Sequence, residues 1–278
     1  MNRHGEWLRY VILAGAAVSA APISASAAEV EPFKITNIHF ETNASACDMG
    51  IQMSFDTDGV SDLTVKDPNG QIVYEAGSVG GPGVTHEITE GFQERVEPQI
   101  RDLIRALGCE RDPEEPAIFL TDLLSAWPAG RYHFRGHGED ADWAGFAPLS
   151  HKIPAGPEIL TPDDGDIVSP AENLVIRWNK VTDAILPELG PVTIVGYHVV
   201  IADATQSEPF PPGKFPAQFD VDLPSWETSL IVPNQFLRSN KIYEFEVLAT
   251  EAGGNQTITE GGVFCTKPIK PADCVKAD

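Results

Sequence analysis

The chain has 278 residues, with 19 Lys and Arg against 41 Asp and Glu, so its formal net charge at pH 7 is −22. Such an acidic chain repels the phosphates of nucleic acids and the headgroups of anionic lipids, and the linear sequence contains no offsetting cluster of Lys and Arg. These properties exclude nucleic acid as a partner. Hydrophobic residues make up 42% of the chain, which is enough for packed cores and excludes global disorder. The length fits one large domain or two of ordinary size.

Residues 1–27 have the pattern of a secretory signal peptide. Arg3 and Arg9 supply a positive start, and the apolar run Tyr10–Val18 is too short to span a bilayer. An Ala-x-Ala cleavage site closes the segment. We therefore expect a mature protein that begins near Ala28 and lies in the periplasm or outside the cell. No later stretch of the sequence is long and apolar enough to cross a membrane.

All four cysteines lie in the part of the chain that is predicted to be exported. An even number of cysteines in an oxidising compartment favours disulfides, and four of them allow three connectivities. The simplest connectivity keeps each bond within one half of the chain, joining Cys47 to Cys109 and Cys265 to Cys274. Coordination of zinc by four thiolates is the alternative, which the absence of a Cys-x2-Cys pair disfavours.

From about residue 154, short apolar runs alternate with turn residues, which is typical of an all-β sandwich. In the clearest run, Ile242–Ala249, every second residue from Tyr243 onward is apolar, which predicts a half-buried strand. The predicted strands cover residues 158–160, 173–178, 194–202, 219–223, 229–232, 242–249 and 256–266. Seven strands is the number found in an immunoglobulin-like sandwich.

The spacing of Trp178, Tyr197, Leu237 and Tyr243 resembles that of a fibronectin type III domain. The resemblance implies that Tyr243 packs at a corner with its hydroxyl bonded to the backbone, while the leucine and the tryptophan fill the core. These residues are structural in the family, so the resemblance implies no catalytic residue. The Arg-Gly-Asp tripeptide of some adhesive members is absent.

The first half of the chain, residues 28–153, predicts a β-sandwich with a helical insertion. Alternating apolar residues in Leu63–Ala76, on either side of a turn, predict a hairpin. The apolar spacing then becomes helical and predicts helices near residues 97–107 and 118–126. The order of these elements loosely resembles a group of uncharacterised secreted bacterial proteins with a fibronectin type III domain.

The whole chain is therefore predicted to be mainly β, with two immunoglobulin-like β-sandwich domains, the first of which carries the helical insertion. We place the signal peptide at residues 1–27 and the first sandwich domain at 28–153. The fibronectin type III-like domain is predicted at 154–267, and a polar tail at 268–278 follows it.

Candidate metal ligands are few. Asp56–Gly59 and Asp163–Asp166 faintly resemble calcium loops, but both lack the Glu at position 12 that an EF-hand supplies, so we interpret them as turns between strands. Glu139–Asp142 is interpreted as a solvated loop. His133 and His137 are predicted to lie on one strand, about 13 Å apart, which is too far to share a metal. No cofactor is predicted, and calcium is the leading metal hypothesis.

The sequence contains no Gly-x-Ser-x-Gly, no Ser-x-x-Lys and no phosphate-binding loop. We therefore assign no catalytic, cofactor-binding or metal residue. The main hypothesis is a non-catalytic exported protein that binds or spaces a protein or polysaccharide of the cell envelope or extracellular space. The alternative is an extracytoplasmic enzyme, a hydrolase or lyase, with scattered carboxylates that meet between the domains.

Overall fold

The computed structural model of the chain describes residues 30–79, 86–205 and 216–275. The predicted signal peptide, residues 1–27, lies outside these ranges. The structure is mainly β, with 51% strand and 9% helix, and this composition of packed sheets confirms the predicted fold class. Two large hydrophobic clusters form its cores, one centred in each half of the chain.

The first half supplies two sheets and the two helices of the insertion. Its elements, in chain order, are β1 (Val30–Pro32), β2 (Ile35–Asn43), β3 (Asp48–Val60), β4 (Asp62–Lys66), β5 (Ile72–Gly77), β6 (Ile88–Glu94), β7 (Gln99–Ile100), α1 (Arg101–Leu107), β8 (Ala117–Ile118), α2 (Leu120–Ala126), β9 (Gly130–His137) and β10 (Asp142–Leu149).

The second half is built from strands joined by loops and single 3-10 turns. Its strands are β11 (Ile159–Thr161), β12 (Asp166–Val168), β13 (Leu174–Trp178), β14 (Ile194–Asp203), β15 (Gln218–Pro224), β16 (Ser229–Val232), β17 (Ile242–Glu251) and β18 (Gln256–Thr266). The 3-10 turns are Pro187–Leu189 and Pro271–Asp273.

In the first sandwich, a five-stranded sheet with the order β1-β10-β9-β4-β5 packs against β2 and β3. The alternation of β9 explains this packing, because Tyr132 and Phe134 are buried while the residues between them are exposed. Both rings share one core with Phe40 of β2 and Ile51 of β3. Burial of such side chains contributes about 1.5–3 kcal/mol each.

In the second sandwich, the three-stranded sheet β11-β13-β16 packs against β15, β14, β17 and β18. The inward residues of β17 are those that the sequence places on one face, from Tyr243 through Ala249, and all of them are buried. They pack with Trp178 of β13 and Tyr197 of β14, whose rings meet edge to face at 5.4 Å. Seven of the strands correspond to the predicted runs, and β12 is additional.

The two sandwiches share one sheet of ten strands. Its main path runs β15-β14-β17-β18-β2-β3-β7-β8, while β12 pairs with β18 and β6 pairs with β3. The last strand of the second sandwich, β18, therefore lies directly beside the first long strand of the first sandwich, β2. The sequence pattern does not predict that one sheet continues from the second sandwich into the first.

Disulfides join Cys47 to Cys109 and Cys265 to Cys274, which is the pairing within each half that the sequence favours. The first bond connects the start of β3 to the residue that follows α1 and Gly108. The second holds the tail against β18, where both sulfurs are buried beside Val263.

The insertion differs from its prediction at the start of the first helix. Helix α1 begins at Arg101 rather than near residue 97, because Gln99 is extended and pairs with Asp48 and with Ala117 of β8. Pro98 favours this result, since the residue before a proline avoids helical backbone angles. The helix ends at Gly108, whose φ of 82° is the left-handed conformation that glycine adopts without strain.

Two turn predictions require correction. Asp56–Gly59 is not a turn but lies within β3, which pairs with β6 through an irregular register in this segment. Asp163–Asp166 does form a turn, but its last residue begins β12, which pairs in parallel with β18. The domain boundary near residue 154 stays a prediction, and Ile185 and Leu186, which follow it in sequence, pack into the first core.

Candidate functional site

The two sandwiches meet where β18 and β2 pair in parallel. Gln256, Thr257 and Ile258 of β18 lie opposite Glu41, Thr42 and Asn43 of β2, respectively. The backbone ladder continues one residue further, because the amide of Ala44 donates to the carbonyl of Ile258 at 2.9 Å. We call β2, β18 and the connecting residues 150–154 the seam.

A single buried amide side chain, that of Asn255, joins three segments at the seam. Its Oδ1 accepts a hydrogen bond from the backbone amide of Phe40 at 2.9 Å. Its Nδ2 donates to the carbonyl oxygens of Ser150 and Lys152, both at 3.0 Å, and to the Ser150 hydroxyl. Because Asn255 is fully buried, these bonds replace solvent contacts that the side chain has lost.

Further side-chain hydrogen bonds join β18 to the connecting residues 150–154 and to the end of β2. The hydroxyl of Thr257 donates to the carbonyl of Pro154 at 2.7 Å, in a fully buried position. Asn43 donates to a carboxylate oxygen of Glu260 at 2.8 Å, and the Ser45 hydroxyl accepts from the Glu260 amide. Asn43 and Asn255 each begin an Asn-x-Ser/Thr sequence. Both side chains are therefore engaged in structural contacts.

Carboxylates gather on the outer face of the ten-stranded sheet where it crosses the seam. One oxygen from each of Glu41, Glu94 and Glu97 lies within 4.8 Å of the others. The amide of Gln52 donates to Glu41 at 2.7 Å and to Glu94 at 2.9 Å, and Gln256 also donates to Glu41. Register places further acids beside this group. We name the whole set the acidic band: Glu41, Asp48, Glu94, Glu97, Glu246 and Glu260.

The electrostatics of the acidic band disfavour full ionisation. Partial burial, and then the charges of Asp48, Glu41 and Glu94, raise the pKa of Glu97 to about 7. Partial burial, followed by the charges of Glu115, Glu260 and Glu41, raises the pKa of Asp48 to about 6. One carboxylate oxygen in each of these two residues is buried without a hydrogen-bond partner among the described residues. Such groups favour the neutral, protonated form.

Two chemistries are open to the acidic band. It can hold protons near neutral pH, or its oxygens, which are hard ligands, can surround a cation. Glu41, Glu94 and Glu97 are the residues that could supply such ligands. The calcium hypothesis rests on the general acidity of the chain, and it stays a prediction.

A cavity of about 440 Å³ lies next to the acidic band, on the second sandwich. Glu244, Glu246, Glu260 and Asp164 contribute carboxylates to its wall. Cys274 also lines it, but its sulfur is in a disulfide. The described residues around the cavity include no Ser, Thr, Lys or His, so its titratable side chains are carboxylates.

The four residues singled out by the fibronectin-like spacing are all buried in the second core: Trp178, Tyr197, Leu237 and Tyr243. The hydroxyl of Tyr243 accepts from the amide of Arg238 at 2.9 Å, a few residues upstream, as a tyrosine corner requires. The hydroxyl of Tyr197 makes an equivalent bond, accepting from the amide of Val181 at 2.8 Å. The four residues form a structural set, away from the acidic band.

The remaining candidates are dispersed. His133 and His137 are exposed on β9, as alternation on a strand requires, and Nδ1 of His137 lies 2.7 Å from the Asp142 carboxylate. His151 contacts the backbone carbonyl of Trp127. Glu139 lies in the short loop between β9 and β10.

The acidic band was missed because its members are far apart in sequence. Glu41 lies on β2 and Glu260 on β18, in opposite halves of the chain, and each appears alone as an ordinary polar residue of an alternating strand. The available signal was the outward position of Glu41 between inward-facing Phe40 and Thr42. That signal marks a surface residue, and only the pairing of β3 with β2 and β6, and of β2 with β18, brings the carboxylates together.

Fold and site together define a class: a disulfide-bonded protein of two β-sandwiches that share one sheet, with an acidic face at their junction. In the ranges 30–79, 86–205 and 216–275, no helix has the length and apolar character needed to cross a membrane. No protein-family model matches the chain, and no curated protein matches it.

Several solved structures are similar to the chain at low levels. Domains A168–A170 of titin share 14% identity, with 85% of this chain and 60% of that chain covered and a TM-score of 0.25. A biofilm-associated protein, BSP domain, shares 10% identity, with 86% and 30% covered and a TM-score of 0.24. A two-domain fibronectin type III segment of chicken tenascin shares 10% identity, with 83% and 97% covered and a TM-score of 0.23. Scores this low establish neither fold nor function, and the fibronectin type III assignment stays a prediction.

Proposed function

We propose that this chain is a non-catalytic, exported binding or spacer protein whose two sandwiches act as one stiff body. The observation that carries the proposal is the seam. Tandem domains are commonly joined by exposed, flexible linkers, so relative motion is the ordinary expectation. Here the connecting residues 150–154 are instead bonded to Asn255 and Thr257.

The seam resists bending for two physical reasons. The ladder between β2 and β18 makes the junction part of a hydrogen-bonded sheet, so rotation of one sandwich against the other breaks backbone bonds. Separation would also expose the buried polar atoms of Asn255, Thr257 and the Phe40 amide. Each buried group left without a partner costs about 1–3 kcal/mol.

An exported location is part of the proposal. Two disulfides in a chain with a predicted signal peptide fit an oxidising compartment. The acidic surface fits a protein that remains soluble and avoids nucleic acids and anionic lipids. The proposed partner is a protein or a polysaccharide of the envelope or extracellular space.

Measuring the distance between the sandwiches tests the stiffness. Genetically encoded spin labels replace the exposed side chains of Ile72 in β5 and Trp226 after β15, so that the disulfides stay intact. We expect one narrow distance distribution. Asn255→Ala should broaden it. Asn234→Ala, which removes an amide bonded within the second sandwich alone, is the matched control and should leave the width unchanged. A broad distance distribution in the labelled protein with an unmodified seam would refute the proposal.

A further inference from the structure

The outer face of the five-stranded sheet carries the opposite charge to the acidic band. On β9, Arg131, His133 and Arg135 alternate with Tyr132 and Phe134, so the basic side chains are exposed while the aromatic ones are buried. The linear sequence shows no basic cluster, because each basic residue is followed by an uncharged one. Folding as a strand brings them to one side, spaced by about 6.8 Å from one to the next.

The neighbouring strands extend this basic surface into a row across the sheet. Lys66 of β4 lies directly opposite His133 on one side, and Phe146 of β10 lies opposite it on the other. Ile72 of β5 pairs with Lys66 and ends the row. Phe146 and Ile72 are about half exposed, at 53% and 47%. We call this set the basic face: Lys66, Ile72, Arg131, His133, Arg135 and Phe146.

The cations of the basic face are not neutralised by neighbours within the described chain. Neither Arg135 nor Lys66 forms an ion pair with a described residue. The guanidinium of Arg131 lies 4.1 Å from the centroid of the Phe146 ring, which orients it without cancelling its charge. By register, the acids on this side of the sheet are Glu75 on the edge strand β5, and Asp62 and Asp142 beside His137 at the far end of β9, where Asp142 already contacts His137.

We propose that the basic face binds an extended acidic polypeptide segment that carries carboxylates at alternate positions. In an extended segment, side chains two residues apart are separated by about 6.8 Å, which is also the spacing of Arg131, His133 and Arg135 along β9. Arginine guanidinium groups recognise carboxylates with paired hydrogen bonds. Ile72, which is about half exposed, would contact the apolar parts of the segment. This inference rests on the proposed binding role and names its partner class.

Other polyanions fit the surface less well. Single-stranded nucleic acids require aromatic rings on which bases stack, and Arg131 already covers the Phe146 ring. An anionic membrane is a broad plane, so it would also meet the acids of a chain with a net charge of −22. A narrow segment contacts the basic face alone. Acids further away than the Debye length, about 8 Å at physiological ionic strength, are largely screened from it.

Titration with defined peptides tests the proposal on the mature, disulfide-bonded protein. The probe is a fluorescent twelve-residue peptide of alternating Glu and Thr, titrated first at physiological ionic strength, where distant acids are screened. We expect saturable binding that weakens as salt rises. A control peptide that repeats Glu-Glu-Thr-Thr three times carries the same charge but never places carboxylates two residues apart, so it should bind at least threefold more weakly. A Gln-Thr alternating peptide should not bind.

Two variants locate the binding site. Lys66→Gln with Arg135→Gln removes two exposed cations from the basic face and should weaken binding at least tenfold. Arg177→Gln with Lys180→Gln removes the same charge from exposed positions of the second sandwich and should change binding less than twofold.

The inference would be overturned by no binding of the alternating peptide, by equal binding of the Glu-Glu-Thr-Thr peptide, or by equal binding of the alternating peptide to the Lys66/Arg135 variant. Tighter binding of polygalacturonate than of the peptide would also overturn it, in favour of a polysaccharide partner. Absence of peptide binding would leave the spin-label distances unchanged. The result therefore differs from a broad distance distribution, which would refute the proposed stiff spacer.

Discussion

The two sandwiches have similar aromatic cores but secure their irregular segments by different means. The first must hold a long excursion between β6 and β9, which contains both helices. It does so with the disulfide from Cys47 to Cys109 and with the buried amide of Gln99, which bonds the carbonyls of Ala46 and Glu110. In the second, Tyr197 and Tyr243 hold the connections that precede β14 and β17 through single hydroxyl contacts.

This difference follows from loop length. A long segment without extended strand pairing loses much conformational entropy when it is ordered, so a covalent bond that restricts the unfolded chain has a large effect. The connections 179–193 and 233–241 of the second sandwich are shorter than the excursion between β6 and β9, and each is fixed at one point by a hydroxyl on a buried ring. Removing these constraints one at a time therefore tests the comparison.

The largest effect is expected from the disulfide of the first sandwich. Its cysteines are 62 residues apart in sequence, against 9 for Cys265 and Cys274. In the chain-entropy account, this predicts a loss of about 4–5 kcal/mol for the Cys47→Ala/Cys109→Ala variant and about 2–3 kcal/mol for the Cys265→Ala/Cys274→Ala variant. Urea unfolding of both variants measures the losses. Equal losses would contradict the assigned difference between the sandwiches.

The next effect is expected at the tyrosine corner of the second sandwich. Tyr243→Ala removes a buried ring that stacks on Phe264 at 5.3 Å, and it should lower the free energy of unfolding by about 3–5 kcal/mol. Tyr243→Phe keeps the ring and removes only the hydroxyl bond, so about 1 kcal/mol is expected. Thermal or urea unfolding measures both. If the two variants lost equal stability, the hydroxyl rather than the packing would dominate.

The seam should respond more moderately. Asn255→Ala leaves the Phe40 amide and the carbonyls of Ser150 and Lys152 without their side-chain partner. Because some of these groups can recruit water, we expect a loss of about 2–4 kcal/mol. Hydrogen exchange should show faster exchange of the Phe40 amide. Asn234→Ala is the control. If it lowered the free energy of unfolding as much as Asn255→Ala does, that result would argue against a special role for the seam.

The smallest effect concerns pH and the acidic band. The pKa values of Glu97, about 7, and Asp48, about 6, lie above those of an unfolded chain. The folded protein therefore binds more protons in this range, and the free energy of unfolding should fall as pH rises from about 4.5 to 7. Glu97→Gln should flatten this dependence and raise the melting temperature at pH 8.

The control for the pH experiment is Glu75→Gln, which alters an exposed carboxylate of β5. It should leave the pH dependence of the melting temperature as it is in the unmodified protein. A melting temperature that rises from pH 5 to pH 8 would be opposite in sign to the expectation from Glu97 and Asp48.

Local alternation was sufficient to predict most strands. Tyr243 to Ala249 occupy one buried face because a strand with that pattern has one apolar side, and the tyrosine spacing placed Tyr243 near its upstream backbone partner. The strand within Asp56–Gly59 was missed, since Asp and Gly favour turns. Asp56 pairs with Ile35 of β2 and Glu90 of β6, and the ladder with β6 resumes at Val60.

The candidate site depends on long-range pairing, which local patterns do not encode. Glu41 and Glu94 meet because β2 and β6 both flank β3, and Gln256 joins them because β18 adds to the same sheet. The basic face was equally invisible, since its charges are separated by aromatic residues in the sequence. In both cases the strand register, rather than the residue types, determines which charges become neighbours.

The parallel pairing of β2 with β18 has a mechanical consequence. Tension applied from the start of β2 to the end of β18 would pull these neighbouring parallel strands in opposite directions along their length. The hydrogen bonds between them, which run across the strands, would then be loaded together in shear and would not open one after another. The junction between the sandwiches is thus oriented to carry a pulling force along the chain.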